Sequence, residues 1–110
     1  MSRVDADFSK KVYELVARIP EAKVMTYGQI AALCGAAWAA WEVGQIAHTG
    51  PTDLPWHRVV NKQGGLAAGW PGGGRATHAE LLRAEGVEVS DDYKVDVNRL
   101  LWSPQQTQLL

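Results

Sequence analysis

The sequence predicts a single, mainly helical domain with a small β hairpin and a helix-turn-helix at its centre. Three observations lead there. Apolar residues recur at helical spacing near the start, a capping box opens a second helix before an alanine-rich stretch, and a glycine-containing turn follows a short valine strand.

Taken in order, Phe8, Val12, Leu15, Val16 and Ile19 make an amphipathic helix over 7–19, and Pro20 stops it. Lys23-Val24-Met25 is a short extended piece. Thr26 and Gln29 form a threonine–x–x–glutamine capping box that starts a helix over 27–34, closed by Gly35. The alanine-rich helix that follows covers about 36–47 and ends near Gly50-Pro51. Two helices around a tight glycine turn make the helix-turn-helix. Residues 53–60 run from loop into strand, and 61–65 turn the chain back as a hairpin. The glycine-rich loop 69–74 leads to a helix over 76–85, closed by Gly86. Val87-Glu88-Val89 and Lys94-Val95 are short strand candidates. Asp96 caps a final turn through Leu101-Trp102, and Pro104 ends it. The core is expected to span about 7–103 and residues 105–110 to be a frayed tail, and neither an internal repeat nor a domain boundary is seen in 1–110.

Composition narrows the function. Hydrophobic residues make up 46% and charged residues 21% of the chain, ordinary for a globular domain. A net charge of −1 gives no broad attraction to nucleic acid, so any DNA binding must be local. No apolar run is long enough to span a membrane, and no signal-peptide core follows the start. The single cysteine, Cys34, cannot form an internal disulfide, and a cytoplasmic, reducing setting is expected. His48, His57 and His78 are scattered without metal-ligand spacing, so neither metal nor cofactor is expected.

Three segments in register resemble the DNA-binding domain of the O6-alkylguanine-DNA alkyltransferases: Ile19-Pro20 through Thr26-Tyr27-Gly28-Gln29-Ile30-Ala31, Val43-Gly44 in the alanine-rich helix, and Pro55-Trp56-His57-Arg58-Val59-Val60-Asn61. The family's last motif reads proline-cysteine-histidine-arginine-valine, its cysteine being the alkyl acceptor. Trp56 occupies that position here, as in the cysteine-less branch, the alkyltransferase-like proteins. The ending from Val95-Asp96 to Leu101-Trp102-Ser103-Pro104 is similar to that branch too.

The resemblance implies a winged-helix-like domain that docks in the minor groove and flips a damaged base. Alkyl transfer needs a thiolate, and an indole cannot replace it, so the chain is expected not to be an enzyme. Cys34, on a face shared with Ile30, is expected to be a buried, inert thiol. His57 would then be a satisfied structural histidine. The family's supporting glutamate, matched through Leu81-Leu82, falls on Ala79 with Glu80 beside it, so the acid–base chain is expected to be dismantled. Arg58 is expected to hold its loop by hydrogen bonds.

On the same resemblance, Thr26, Tyr27 and Gln29 would meet the DNA backbone, with Tyr27 pushing the target phosphate round. Ala37, Ala40, Trp41, Gly44 and His48 share the helix face expected to enter the groove, while Ala39, Val43, Ile46 and Ala47 pack inward. The family's arginine finger falls on Trp41 and a usual lysine on Trp38. No lysine or arginine occurs over 36–57, and Glu42 adds a negative charge. Trp41 would act as an apolar wedge. The flipped base would sit among Tyr27, Trp56, Val59, Trp70, Pro71, Gly72, Gly73 and Arg75. The expected partners are duplex DNA carrying O6-alkylguanine and nucleotide excision repair proteins, with the chain a monomer. Two alternatives are a protein-interaction module with a decayed DNA face, suggested by Trp38 and Trp41, and an alkyltransferase working through Cys34.

Overall fold

The computed structural model describes residues 5–104. Helix α1 (Ala6–Arg18) is capped by Asp5, whose carboxylate accepts the Phe8 N–H, and buries Phe8, Val12, Leu15 and Val16. Strand β1 (Met25–Thr26) leads directly into α2 (Tyr27–Leu33). The Thr26 hydroxyl accepts the Gln29 N–H and the Gln29 carbonyl oxygen accepts the Thr26 N–H, so both halves of the capping box form.

Gly35 takes φ +94°, which favours glycine, and reverses the chain after α2. Here the expected boundary moves. Residues 36–39 form a turn, and α3 begins at Ala40 and runs to Thr49. Alanines favour helix without marking where it starts, and Ala39 offers no side-chain cap. Ala37 and Trp38 therefore precede α3 rather than lying on it. The inward face is as expected: Ala39 and Val43 are fully buried, Ile46 nearly so, and Ala47 packs against them.

The small sheet is present, but it is not a hairpin. Strand β2 (Val59–Val60) pairs parallel with β1, Met25 opposite Val59 and Thr26 opposite Val60. The 61–65 turn does form, with the Asn61 side chain accepting the Gln63 and Gly65 N–H groups. Beyond it, Gly65 makes an isolated antiparallel bridge to Lys94, and the 87–89 segment forms no strand. Gly64 has φ +85°, and a Cβ there would stand 2.1 Å from the Val95 carbonyl oxygen, so this crossing requires glycine.

Alternation along the strands divides the interior in two. Met25 and Val59 face the core of α1, α2 and α3, with Trp56 and Trp102. Val24 and Val60 face a second core with Leu66, Ala79, Leu82, Val87 and Val95. Helix α4 (Gly74–Ala84) supplies Ala79 and Leu82, and starts two residues earlier than its sequence suggested. The last helix, α5 (Val97–Leu100), is capped by Asp96. Beyond it, Trp102 donates its N–H to the Val24 carbonyl and accepts from Gln29 Nε2 at 2.6 Å. Among the described residues no helix is long and apolar enough to cross a membrane.

Candidate nucleic-acid interface

Leu54 and Pro55 accept the Trp56 and Arg58 N–H groups at 2.8 and 3.0 Å, winding Trp56–Arg58 into one 3-10 turn. The Trp56 indole N–H donates to the Pro51 carbonyl at 2.7 Å, and its ring meets Tyr13 edge-on with centroids 6.2 Å apart. Held from two sides, Trp56 is 8% exposed. Gly50, which ends α3, lets the ring approach: a Cβ there would lie 3.0 Å from the indole and 2.8 Å from the Ile46 carbonyl oxygen.

This indole walls a cavity of about 810 Å³ between the end of α3, the 50–55 loop, the 3-10 turn and the Ala67–Pro71 segment. That volume lies in the range of small-molecule pockets, about 300–1,000 Å³. Tyr27 enters from α2, and burial pushes its hydroxyl pKa up. Trp70, Pro71 and Leu81 line it as well.

His57 and Arg58 follow Trp56 and share one carboxylate, Glu85. His57 Nε2 lies 2.7 Å from Glu85 Oε2, and Arg58 donates to the same carboxylate from Nε and a terminal nitrogen at 2.6–3.1 Å. Arg58 also donates to the Ile19 carbonyl, fulfilling its expected loop-holding part. Burial alone would raise the Glu85 carboxyl. The hydrogen bonds from Arg58, His57 and the Ala22 N–H outweigh it and bring the pKa down to about 2. The histidine–glutamate pair is thus intact, and the expectation of a dismantled chain is corrected: the carboxylate is Glu85, not position 79 or 80. Ala79 is instead fully buried in the second core.

Other assigned residues are distributed less evenly. Val59 is fully buried in the main core and does not reach the cavity. Gly72, Gly73 and Arg75 are exposed and lie outside its wall, because α4 has already begun at Gly74. The Gln29 side chain accepts the Thr26 N–H within the capping box and donates one amide N–H to the Trp102 carbonyl. The Thr26 hydroxyl accepts the Gln29 N–H, which leaves its O–H as a donor. Trp41 is 70% and Trp38 53% exposed, large apolar surfaces on the helix-turn-helix side, and Ala40 and Gly44 are half-buried beside Trp41. Cys34 is buried in the main core, not in the cavity; burial raises its thiol pKa against a smaller lowering by Lys11.

Sequence reasoning missed two residues. Glu85 is one, and a glutamate just before a closing glycine reads as an ordinary helix end. His78 is the other. It is fully buried, accepts the Ala67 N–H at Nδ1, lies 2.7 Å from the His57 carbonyl through Nε2, and stacks on Trp70 with centroids 4.5 Å apart. The local signal for His78 was its helical spacing with Leu82, four residues on.

Known proteins share this architecture. The family model described as 6-O-methylguanine DNA methyltransferase, DNA binding domain, matches residues 7–87. The chain is 42% identical over 98 residues to the DNA base-flipping protein of Escherichia coli (strain K12), covering 87% of this chain and 74% of that one. It is 38% identical over 104 residues to Alkyltransferase-like protein 1 of Schizosaccharomyces pombe, covering 89% and 96%. The crystal structure of S. pombe Atl1 in complex with damaged DNA containing O6-carboxymethylguanine superimposes with a TM-score of 0.83 at 34% identity, over 92% of this chain and 99% of that one. With the family's model matching most of its length, and a fold shared with an alkyltransferase-like protein, this chain belongs to the family of the 6-O-methylguanine DNA methyltransferase DNA-binding domain.

Proposed function

We propose that this protein recognises alkylated DNA without repairing it. It binds duplex DNA through the helix-turn-helix, turns an O6-alkylguanine out of the stack into the Trp56 cavity, and holds it there. The observation that carries this reading is Trp56 itself: an indole pinned by Pro51 and Tyr13 stands immediately before a complete His57–Glu85 pair. That is the position the acceptor cysteine takes in the family motif, and a carbon-rich ring has no lone pair able to displace an alkyl group at neutral pH. The chain's one thiol, Cys34, lies in the core with its ionisation disfavoured.

The relatives are named for base flipping and for alkyltransferase likeness, and the S. pombe protein is described bound to damaged DNA. These names support binding as the output. Trp56 and Trp70 offer flat apolar walls to a purine and its alkyl group, and Tyr27 stands at the cavity's edge to turn the nucleotide. Trp41 fills the space that the extruded base leaves, as an apolar wedge. A bound monomer with no chemistry to complete persists on the lesion, and nucleotide excision repair proteins are the readers it would serve.

Intact-mass spectrometry tests the chemistry. After prolonged incubation with a duplex carrying O6-methylguanine, the protein's mass should be unchanged. A stoichiometric gain of one methyl group, on Cys34 or elsewhere, would overturn the reading.

A further inference from the structure

Beneath the aromatic wall of the cavity lies a buried histidine that base recognition has not used. His78 is fully buried on α4, and both of its ring nitrogens are committed. The Ala67 N–H donates to Nδ1 at 3.0 Å, so Nδ1 carries no proton. Nε2 must then carry it, and donates to the His57 carbonyl at 2.7 Å. One face of the ring lies against Trp70, centroids 4.5 Å apart and planes 25° from parallel.

These contacts join two separate segments of the cavity wall. Ala67, Trp70 and His57 all line it, and His78 is the piece beneath that touches all three. We propose that His78 is the positioning residue of the base pocket: its neutral Nε2–H form latches the Ala67–Trp70 wall to the His57 turn, and proton uptake at Nδ1 unlatches that wall. The proton would occupy the lone pair that now accepts the Ala67 N–H, leaving two N–H groups pointed at each other. The Trp70 indole, stacked on the same ring, would lose its fixed backing.

The surroundings agree in direction. Burial lowers the His78 pKa, the hydrogen bond to the His57 backbone acts the other way, and the charge of His57 lowers it further. His57, on the 3-10 turn, is the titratable group facing it from that element, and its ring is in turn bonded to Glu85. The 66–70 segment contributes no titratable side chain.

The inference rests on the recognition reading above, and one experiment separates their failures. Fluorescence anisotropy would compare a short duplex bearing one O6-methylguanine with the same duplex unmodified, for the parent and His78→Asn, between pH 8 and pH 4.5, low enough to protonate a histidine whose pKa is lowered while Glu85 stays ionised. Asparagine can still accept the Ala67 N–H but neither titrates nor reaches His57. The parent should lose roughly tenfold of its preference for the lesion as pH falls, about the value of one net hydrogen bond. His78→Asn should begin with a reduced preference that stays flat with pH. If the parent shows no preference at pH 8, the recognition reading fails and this inference falls with it. A flat parent profile, or a pH dependence retained in His78→Asn, would overturn the inference alone, since His48 and His57 also line the cavity. Should His78→Asn fail to fold, nitrogen-15 NMR of the parent decides. An Nε2–H tautomer whose titration moves the Ala67–Trp70 amide signals supports the latch; an Nδ1–H tautomer, or a titration that leaves those signals in place, contradicts it.

Discussion

Four N–H groups converge on the Glu85 carboxylate, one each from Ala22 and His57 and two from Arg58. Its folded pKa of about 2 lies below the ordinary 4.5, so the folded state holds fewer protons than the unfolded chain between those values. The stability from this cluster is therefore complete above about pH 4.5 and lost as pH falls toward 2. Urea unfolding across that range should show the loss in the parent and lack this part of it in Glu85→Gln. At pH 7 the variant should be less stable by about 1.5–3 kcal/mol, the scale of hydrogen bonds to a charged group. Parallel curves for the two proteins would contradict the assignment. Trp41 is the opposite kind of residue, outward and 70% exposed. Trp41→Ala should leave the melting temperature unchanged while weakening binding to alkylated duplex by about 1–3 kcal/mol, the scale of one stacked aromatic. Trp56 was legible in the sequence because its motif is contiguous. Glu85 was not, because its partners lie 27 and 28 residues away and only the fold brings them together.

At the scale of elements, local chemistry was legible at two of the helix starts that a side chain marks. Thr26 and Asp96 each cap the helix that follows, and the Thr26 box appears in full, whereas the Asp5 cap of α1 went unread and the helix begins at Ala6 rather than at 7. Thr26→Ala should cost about 1 kcal/mol of unfolding free energy, the usual loss for an N-cap, measured by chemical denaturation. It should also weaken lesion binding, since Tyr27 opens the same helix; an unaffected stability would mean that the packing of Ile30 and Ala31 alone holds α2. Boundaries without markers were not legible. The start of α3 was hidden in a run of alanines, and the partner of Val59-Val60 is a strand that precedes it by more than thirty residues. A two-residue parallel pair has no sequence pattern of its own, whereas the Asn61–Gly65 turn imitates a hairpin.

For the molecule as a whole, charge argues for recognition of the lesion rather than of DNA in general. The net charge is −1, and no lysine or arginine lies between Ala36 and His57 to release counterions from phosphates. Most of the affinity is therefore assigned to the cavity, the wedge and the flipped base. The most direct measurement is a titration of one short duplex in two forms, with a single O6-methylguanine and with guanine in its place, at physiological salt. Tight binding to the alkylated form and at least tenfold weaker binding to the plain one is the expected result. Equal affinity for both duplexes, or none for either, would contradict the account.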